Sequence, residues 1–423
     1  MKTPQQKRFN TLGFARKLKL SDGASNVALG MATVGIALST AIMILSLVVV
    51  LGFKNEITER ILSIDPHIRI INSGLLTNTS DSNANVNIDD ITPEISSLPC
   101  SDMLSMVSLM AERPAVLKTD SDFRGIVYRG VDEKFDWSYL SECLIEGDLP
   151  LSQDPDSIYG IMVSESTAKA LNLKAKDRIL VYFIDENVRV RRCNITGVYH
   201  TGFDELDGLT VYGDCRAVQS VNGWSEGEGT AVAVNVTNTN AIRQIAISLN
   251  SALSRATAQG RTPAIYNVAD TSTTNASFFA WLDLLDVNAI VIIVLMAIVA
   301  AFTLIAAMLM ILLGHVHTIA ILKTLGATDA EVQSVFIHLT QRLTFRALIA
   351  GNVVAISLAL LQQATRFIPL DAATYYISWV PVSINWLYVI ILDIAIYLLA
   401  GLTLLLPARV IATISPSRTM RFE

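Results

Sequence analysis

Charge is scarce in this chain. Of its 423 residues 17% are charged and 52% hydrophobic, a composition too apolar for an ordinary soluble protein of this length. No glycine is followed by lysine, which excludes a GxxxxGK[ST] loop and its phosphate cradle of backbone amides and one lysine. We read neither a GxSxG elbow nor an HExxH pair, so nucleophilic hydrolysis and metalloprotease chemistry are not expected. The four cysteines, Cys100, Cys143, Cys193 and Cys215, lack the close spacing of a zinc site. They leave two alternatives open: one or two disulfides in an oxidising compartment, or four unpaired buried thiols. His67, His200 and His338 stand singly and read as structural. No repeat, heptad array or low-complexity tract is present.

What the chain has instead is long apolar runs. Crossing about 30 Å of hydrocarbon as a helix takes roughly 20 apolar residues, and the windows 27–53, 287–313, 345–363 and 387–406 qualify. The third is diluted by Asn352, Ser357, Gln362 and Gln363, which a buried bundle helix tolerates better than a lipid-facing one. The first is longer than a secretory signal core, and no small-residue cleavage pattern follows it. The fold class expected is therefore an integral membrane α-helical protein with four transmembrane helices. A large mixed α/β extracytoplasmic domain, 54–286, lies between the first and second spans.

Lysine and arginine near the span ends set the orientation. Lys2, Lys7, Arg8, Arg16, Lys17 and Lys19 precede the first span; Lys323, Arg342 and Arg346 lie between the second and third; Arg409, Arg418 and Arg421 follow the fourth. These place the amphipathic N-terminal segment 1–26, the region 314–344 and the tail 407–423 in the cytoplasm, with 54–286 and the short loop 364–386 outside. The outer segment holds 19 of the 32 basic residues and 32 of the 38 acidic ones, a balance of −13 that argues against nucleic acid as a partner.

Within 54–286, β-branched content and partial alternation predict strands at 67–71, 158–163, 178–184 and 188–195, the last two joined by a turn at Asp185, Glu186 and Asn187. A short helix is expected at 164–171 with Ser164 as its cap. A longer one, 240–255, carries Ile242, Ile245, Ala246, Leu249 and Leu253 on one face. The polar stretch 75–90 reads as a mobile loop, and Asp204, Glu205 and Asp207 in TGFDELDGL read as solvated acids.

Two features are mechanical. Residues 277–313 contain neither proline nor glycine, so the second span can continue as a stiff rod well beyond the bilayer. Between the second and third spans lies TIAILKTLGATDAEVQSVF, 318–336, an amphipathic helix followed by a turn. Asp393, in the fourth span, costs roughly 2.5–3.5 kcal/mol near a bilayer centre unless it is paired or wet.

This arrangement resembles the FtsX/MacB-type (type VII) permeases of ABC transporters, and within them the lipoprotein-releasing LolC/LolE permease family. The resemblance rests on GIAL at 35–38 through GFK at 52–54, DPHI at 65–68, IAILKTLGA at 319–327, PAR at 407–409 and PSRTMRFE at 416–423. The stretch 163–198 follows the family's pattern of a short helix and then strands. It implies a MacB-like periplasmic domain at 54–286 and an FtsX-like permease domain at 287–416, in a bacterial inner membrane with both termini cytoplasmic. It implies no catalysis and no cofactor on this chain: ATP-Mg would be bound by a separate ABC ATPase docking on Ile319, Ala320, Leu322, Lys323, Leu325, Gly326 and Ala327. Of these, Ile319, Ala320, Leu322 and Leu325 would form the apolar patch, Lys323 would point aside, Gly326 would end the helix, and Asp329 would cap the next one.

The resemblance further implies a second permease copy or homologue, mechanotransmission of ATP-driven motion, an acylated lipoprotein substrate and a periplasmic lipoprotein chaperone, all in contact with membrane lipid. Substrate would move sideways from the outer leaflet between the first and second spans, against Ile42, Met43, Leu45, Ser46, Val49, Val291, Leu295 and Phe302. MacB-like efflux with a separate ATPase and FtsX-like control of cell-wall hydrolases are the alternatives. One departure stands out: the family's acid and base before IAILKTLGA are replaced by Gly314, His315 and His317.

Overall fold

Among the described residues four helices are long and apolar enough to cross a membrane: Gly30–Ile64, which lies within the helix Gly23–Ile64, and Ala276–Gly314, Asp329–Thr365 and Trp386–Thr403. The computed structural model describes residues 23–76, 85–150, 159–184 and 188–403. The segment 1–22, part of the 75–90 loop, the turn at Asp185 to Asn187 and the tail motifs at 407–423 lie outside the described residues. The described chain divides into a membrane unit, containing residues up to Glu56, Trp281–Pro369 and the segment from Trp379, and an external unit of Ile57–Ala280 with Leu370–Ser378.

The first three expected windows fall within longer helices, and the fourth begins within its helix Trp386–Thr403 and runs past the last described residue. The second span belongs to a helix of 39 residues, about 58 Å at 1.5 Å per residue, as the lack of helix breakers predicts. The third window, 345–363, forms the second half of one 37-residue helix that begins at Asp329, because nothing in its first half interrupts it. Two of its polar residues, Asn352 and Gln362, have partners inside the unit. Asn352 Nδ2 donates to both Asp393 carboxylate oxygens, at 2.9 and 3.0 Å, so the intramembrane acid is paired. Gln362 donates to Val380 O at 3.1 Å and accepts from Ile368 N at 3.1 Å, holding the turn after the helix. The motif glycine Gly52 sits inside the first helix, where a Cβ would stand 2.6 Å from Pro381 O; close approach is what that position requires.

The external unit is a mixed α/β fold built on one long strand, Leu104–Lys118. Its first half joins an antiparallel sheet in the order Tyr266–Asp270, Ile68–Asn72, Ala231–Val236. Its second half closes a six-stranded barrel with Phe123–Val131, Thr210–Asp214, Gly160–Ser164, Arg189–Tyr199 and Arg178–Phe183, the last pairing back on Ala115 to Lys118. Pro114 is tolerated because its backbone faces the gap where one neighbour has ended and the next has not begun: Ala231–Val236 reaches Met110, and Arg178–Phe183 starts at Ala115. The barrel interior is apolar, including Leu117, Tyr128, Val181, Phe183, Cys193 and Ile195. A second core lies between the open sheet and the helices Ile88–Ser96 and Ile242–Ala258.

The helices expected at 164–171 and 240–255 form at Glu165–Leu171, where the Ser164 side chain accepts from Thr167 N, and at Ile242–Ala258, whose predicted face is buried. The 75–90 reading is corrected in part. Asn87 caps a nine-residue helix, and Asp89 and Asp90 sit in its first turn, where carboxylates favour the helix dipole. Asp207 is also corrected: it is buried, accepting from Thr201 N at 2.8 Å and Thr201 Oγ1 at 2.6 Å, and it braces the TGFDELDGL segment from inside. All four cysteines are free thiols. Burial pushes Cys193 up to about 12, far from thiolate chemistry.

Candidate functional site

His315 separates the second-span helix from the short helix Val316–Thr324. Its backbone carbonyl accepts from Ile319 N at 2.9 Å, its ring Nδ1 lies 2.9 Å from Ile311 O, and its ring packs edge-on to Phe336. His315 therefore acts as a corner post between two helices.

The short helix ends in a Schellman motif. Ala327 N donates to Leu322 O at 3.0 Å and Gly326 N to Lys323 O at 3.1 Å, with Gly326 at φ +94°. The next helix is capped by Thr328 rather than by Asp329. The Thr328 hydroxyl accepts from Glu331 N, and the Glu331 carboxylate accepts from Thr328 N at 3.0 Å, a complete capping box. Asp329 instead pairs with Lys323 Nζ at 2.8 Å, so Lys323 does not point aside but ties the two helices together.

The residues of the expected docking patch divide by burial. Ile319 and Ala320 are fully buried and Leu322 is 5% exposed. Ile319 and Leu322 pack with Leu304, Met308, Ile311, Val332 and Phe336 in the unit's own core, where partly buried Ala327 also lies. The side that remains open carries His317, Ile321 (41% exposed), Thr324 and Leu325 (79% exposed), spaced as one helical face. Of the apolar residues named from sequence, only Leu325 is presented outward. Periodicity from the exposed His317 was the available signal for Ile321.

The span residues separate in the same way. Met43 is completely buried among Leu348 and Ile396, with Ile293, Met296 and Ala297 beside it, so it lines no open surface. Ile42, Leu45, Ser46 and Val49 are half-buried, and the first, second and last of these continue the stripe of exposed Met31, Val34 and Leu38. Val291, Leu295 and Phe302 are all exposed, on one face of the second-span helix with Val287 and Ile298. The seam between the first and second spans of the chain itself is closed. Ile36 packs in one cluster with Leu304 and Met308, Phe53 meets Trp281 edge-on, and Lys54 Nζ pairs with Asp286 at 2.6 Å and Asp283 at 3.3 Å.

The external unit holds a ring of alternating charges. Asp65 Oδ1 accepts from Arg69 Nη2 at 2.9 Å and Arg129 Nη1 at 2.8 Å. Glu112 accepts from Arg69 Nη1 at 3.0 Å and from Arg129 Nε at 2.6 Å. Glu112 and Arg129 are register partners on adjacent strands. Burial by itself would raise the Asp65 carboxyl, but Arg69 and Arg129, with a hydrogen bond from Asn275, hold it well below the usual range. Glu112 is lowered too: burial opposes the shift, and the same two arginines outweigh it.

Among the described residues no cluster of His, Cys, Asp or Glu is placed to hold a metal. The string GxSxG does occur, at 223–227, but it follows the helix Cys215–Asn222 instead of joining a strand to a helix, so it forms no nucleophile elbow.

Residues 29–265 match the MacB-like periplasmic core domain, and residues 290–416 match the FtsX-like permease C-terminal region. The chain is 24% identical over 412 residues to the lipoprotein-releasing system transmembrane protein LolC of Xylella fastidiosa, with 92% of each chain covered. It is 24% identical over 411 residues to the LolC protein of Neisseria meningitidis and 21% identical over 406 residues to the LolE protein of Haemophilus influenzae, again with 92% of each chain covered.

Proposed function

Because this chain belongs to the permeases that join a MacB-like periplasmic core domain to an FtsX-like permease region, we propose that it is the membrane subunit of an ABC transporter that releases acylated lipoproteins from the bacterial inner membrane. The observation that carries the reading is the outward face of the helix Val316–Thr324. A surface presenting Ile321 and Leu325, on a helix braced from behind by Ile319 and Leu322, suits a partner's groove.

The partner is a separate ABC ATPase, which binds ATP-Mg, on the cytoplasmic side together with both chain termini; the external unit lies in the periplasm. A second permease, identical or homologous, completes the complex. Because the seam inside one chain is packed shut, the lipoprotein's acyl chains meet the open stripe of one permease's first span and the Val291, Leu295 and Phe302 face of the other's second span. Nucleotide-driven closure shifts the spans, and the stiff second-span helix delivers that shift to the external unit, which passes the lipoprotein to a periplasmic carrier.

Depleting the protein is expected to leave outer-membrane lipoproteins in the inner-membrane fraction. Normal lipoprotein sorting on depletion, accompanied by greater sensitivity to a toxic small molecule, would replace release by efflux.

A further inference from the structure

Asp65 follows directly on the last residue of the helix Gly23–Ile64, and Asn275 stands directly before the helix Ala276–Gly314. The two are joined, Asn275 Nδ2 donating to Asp65 Oδ2 at 2.8 Å. Resting on the lipoprotein-release reading, we propose that Asp65 is the positioning residue at which movement of the first and second spans is handed to the strands of the external unit.

The assignment follows from how the carboxylate's two oxygens are used. Oδ2 holds the start of the second-span helix, while Oδ1 holds Arg69 on Ile68–Asn72 and Arg129 on Phe123–Val131. Two helix ends and two strands thus meet at one residue, three of its hydrogen bonds falling on the two oxygens of its side chain. Neighbouring bonds repeat the connection: Thr271 Oγ1 donates to Pro66 O at 3.0 Å and to His67 O at 2.8 Å, and Thr271 N donates to His67 O at 3.0 Å. On the other side His67 N donates to Asn235 Oδ1 and His67 Nδ1 accepts from Val236 N, which fixes the DPHI segment to the open sheet.

A helix is stiff along its axis, so displacement of either span arrives at its end. Slippage at that end would strand a buried charge, because Arg69 and Arg129 are already held from behind by Glu112. The two helix ends and the two strands therefore move as one body. An uncharged residue at 65 would keep the fold's shape but let the helix ends slide.

The test uses the full-length chain with its ATPase and second permease in proteoliposomes, loaded with a triacylated lipoprotein and offered a soluble acceptor. Both ATP hydrolysed and lipoprotein released are measured. Asp65→Asn is expected to keep hydrolysis within about 2-fold of the parent while release per ATP falls about 10-fold or more, a loss within the usual range of coupling between sites. Asn275→Leu, which cuts only the link to the second helix, is expected to lower the same ratio, and it carries the test if Asp65→Asn does not accumulate. Glu112→Gln removes an equal charge from the same ring without touching either helix end, and it is expected to keep the parent ratio.

Unchanged release per ATP in Asp65→Asn, or an equal loss in Glu112→Gln, overturns the proposal and leaves the release reading standing. If the parent complex hydrolyses ATP and releases no lipoprotein, the release reading falls instead.

Discussion

Tyr376 stacks on Phe203 inside the external unit, ring centroids 5.1 Å apart and planes 14° from parallel. Phe278 meets both rings edge-on, and Arg60 Nη1 donates to the Tyr376 carbonyl at 3.4 Å. The segment Leu370–Ser378, expected only to link two spans, thus gives the external unit an aromatic anchor. Tyr376 reaches this position at φ +60°, a left-handed backbone that costs a non-glycine residue about 1–3 kcal/mol. Tyr376→Ala is expected to lower the thermal stability of the solubilised chain. Tyr376→Gly loses the same ring but relieves the backbone, so it should melt above the Ala variant, reversing the usual order by about 1 kcal/mol. An Ala variant melting higher would show that position 376 leaves the left-handed region once the ring is gone.

The proposed docking face separates two leucines three residues apart. Leu325→Asp and Ile321→Asp place charges on an open surface; the permease should fold normally and fail to co-purify with its ATPase. Leu322→Asp buries an unpaired charge among Met308, Val332 and Phe336, and is expected to cost more than about 3 kcal/mol and reduce yield before docking is ever tested. Retention of the ATPase by both exposed-face variants would move the docking site elsewhere.

A photo-crosslinking residue at Leu295 or Phe302 should capture lipoprotein or a second permease in membranes, since both positions face outward. The same group at Met43 should yield neither, because that side chain lies wholly within its own bundle. Capture of lipoprotein at Met43 alone would mean that the seam inside the chain opens.

Acid should loosen the charged ring. Asp65 and Glu112 both titrate below their ordinary values in the folded chain, so the unfolded chain takes up protons first as pH falls. Their contribution is complete above the usual carboxylate range and is lost progressively below about pH 4. His67, whose pKa burial lowers, begins to weaken the fold earlier, as pH drops past about 6.5. Comparing the parent with Asp65→Asn cancels that contribution. The stability gap measured at neutral pH should close as pH falls from about 4 toward about 2. A gap constant across that range would mean Asp65 gains nothing from its arginines.

The membrane class, the four spans and the mixed external unit were legible because each rests on composition along the chain: enough consecutive apolar residues, or alternation with β-branched side chains. The strands Leu104–Lys118 and Ala231–Val236 were harder to see. The first contains Pro114, Glu112 and Arg113, which argue locally against a central strand, and only the changeover of neighbours at Pro114 makes it possible. The second, AVAVNV, is short and buried almost throughout, so it shows little alternation.

The helix Val316–Thr324 shows the division most plainly. Its location, its glycine stop and its apolar content are properties of neighbouring residues, and the sequence alone determined them. Which apolar residues face outward depends on where the helices Ala276–Gly314 and Asp329–Thr365 pack against it. Only the tertiary structure decided that Ile319 and Leu322 are buried while Ile321 and Leu325 are open. The same holds for Asp65: DPHI marks the end of a span, but its partners Arg129 and Asn275 lie 64 and 210 residues away. No local pattern records such pairs, because they form only when folding brings distant charges out of water together.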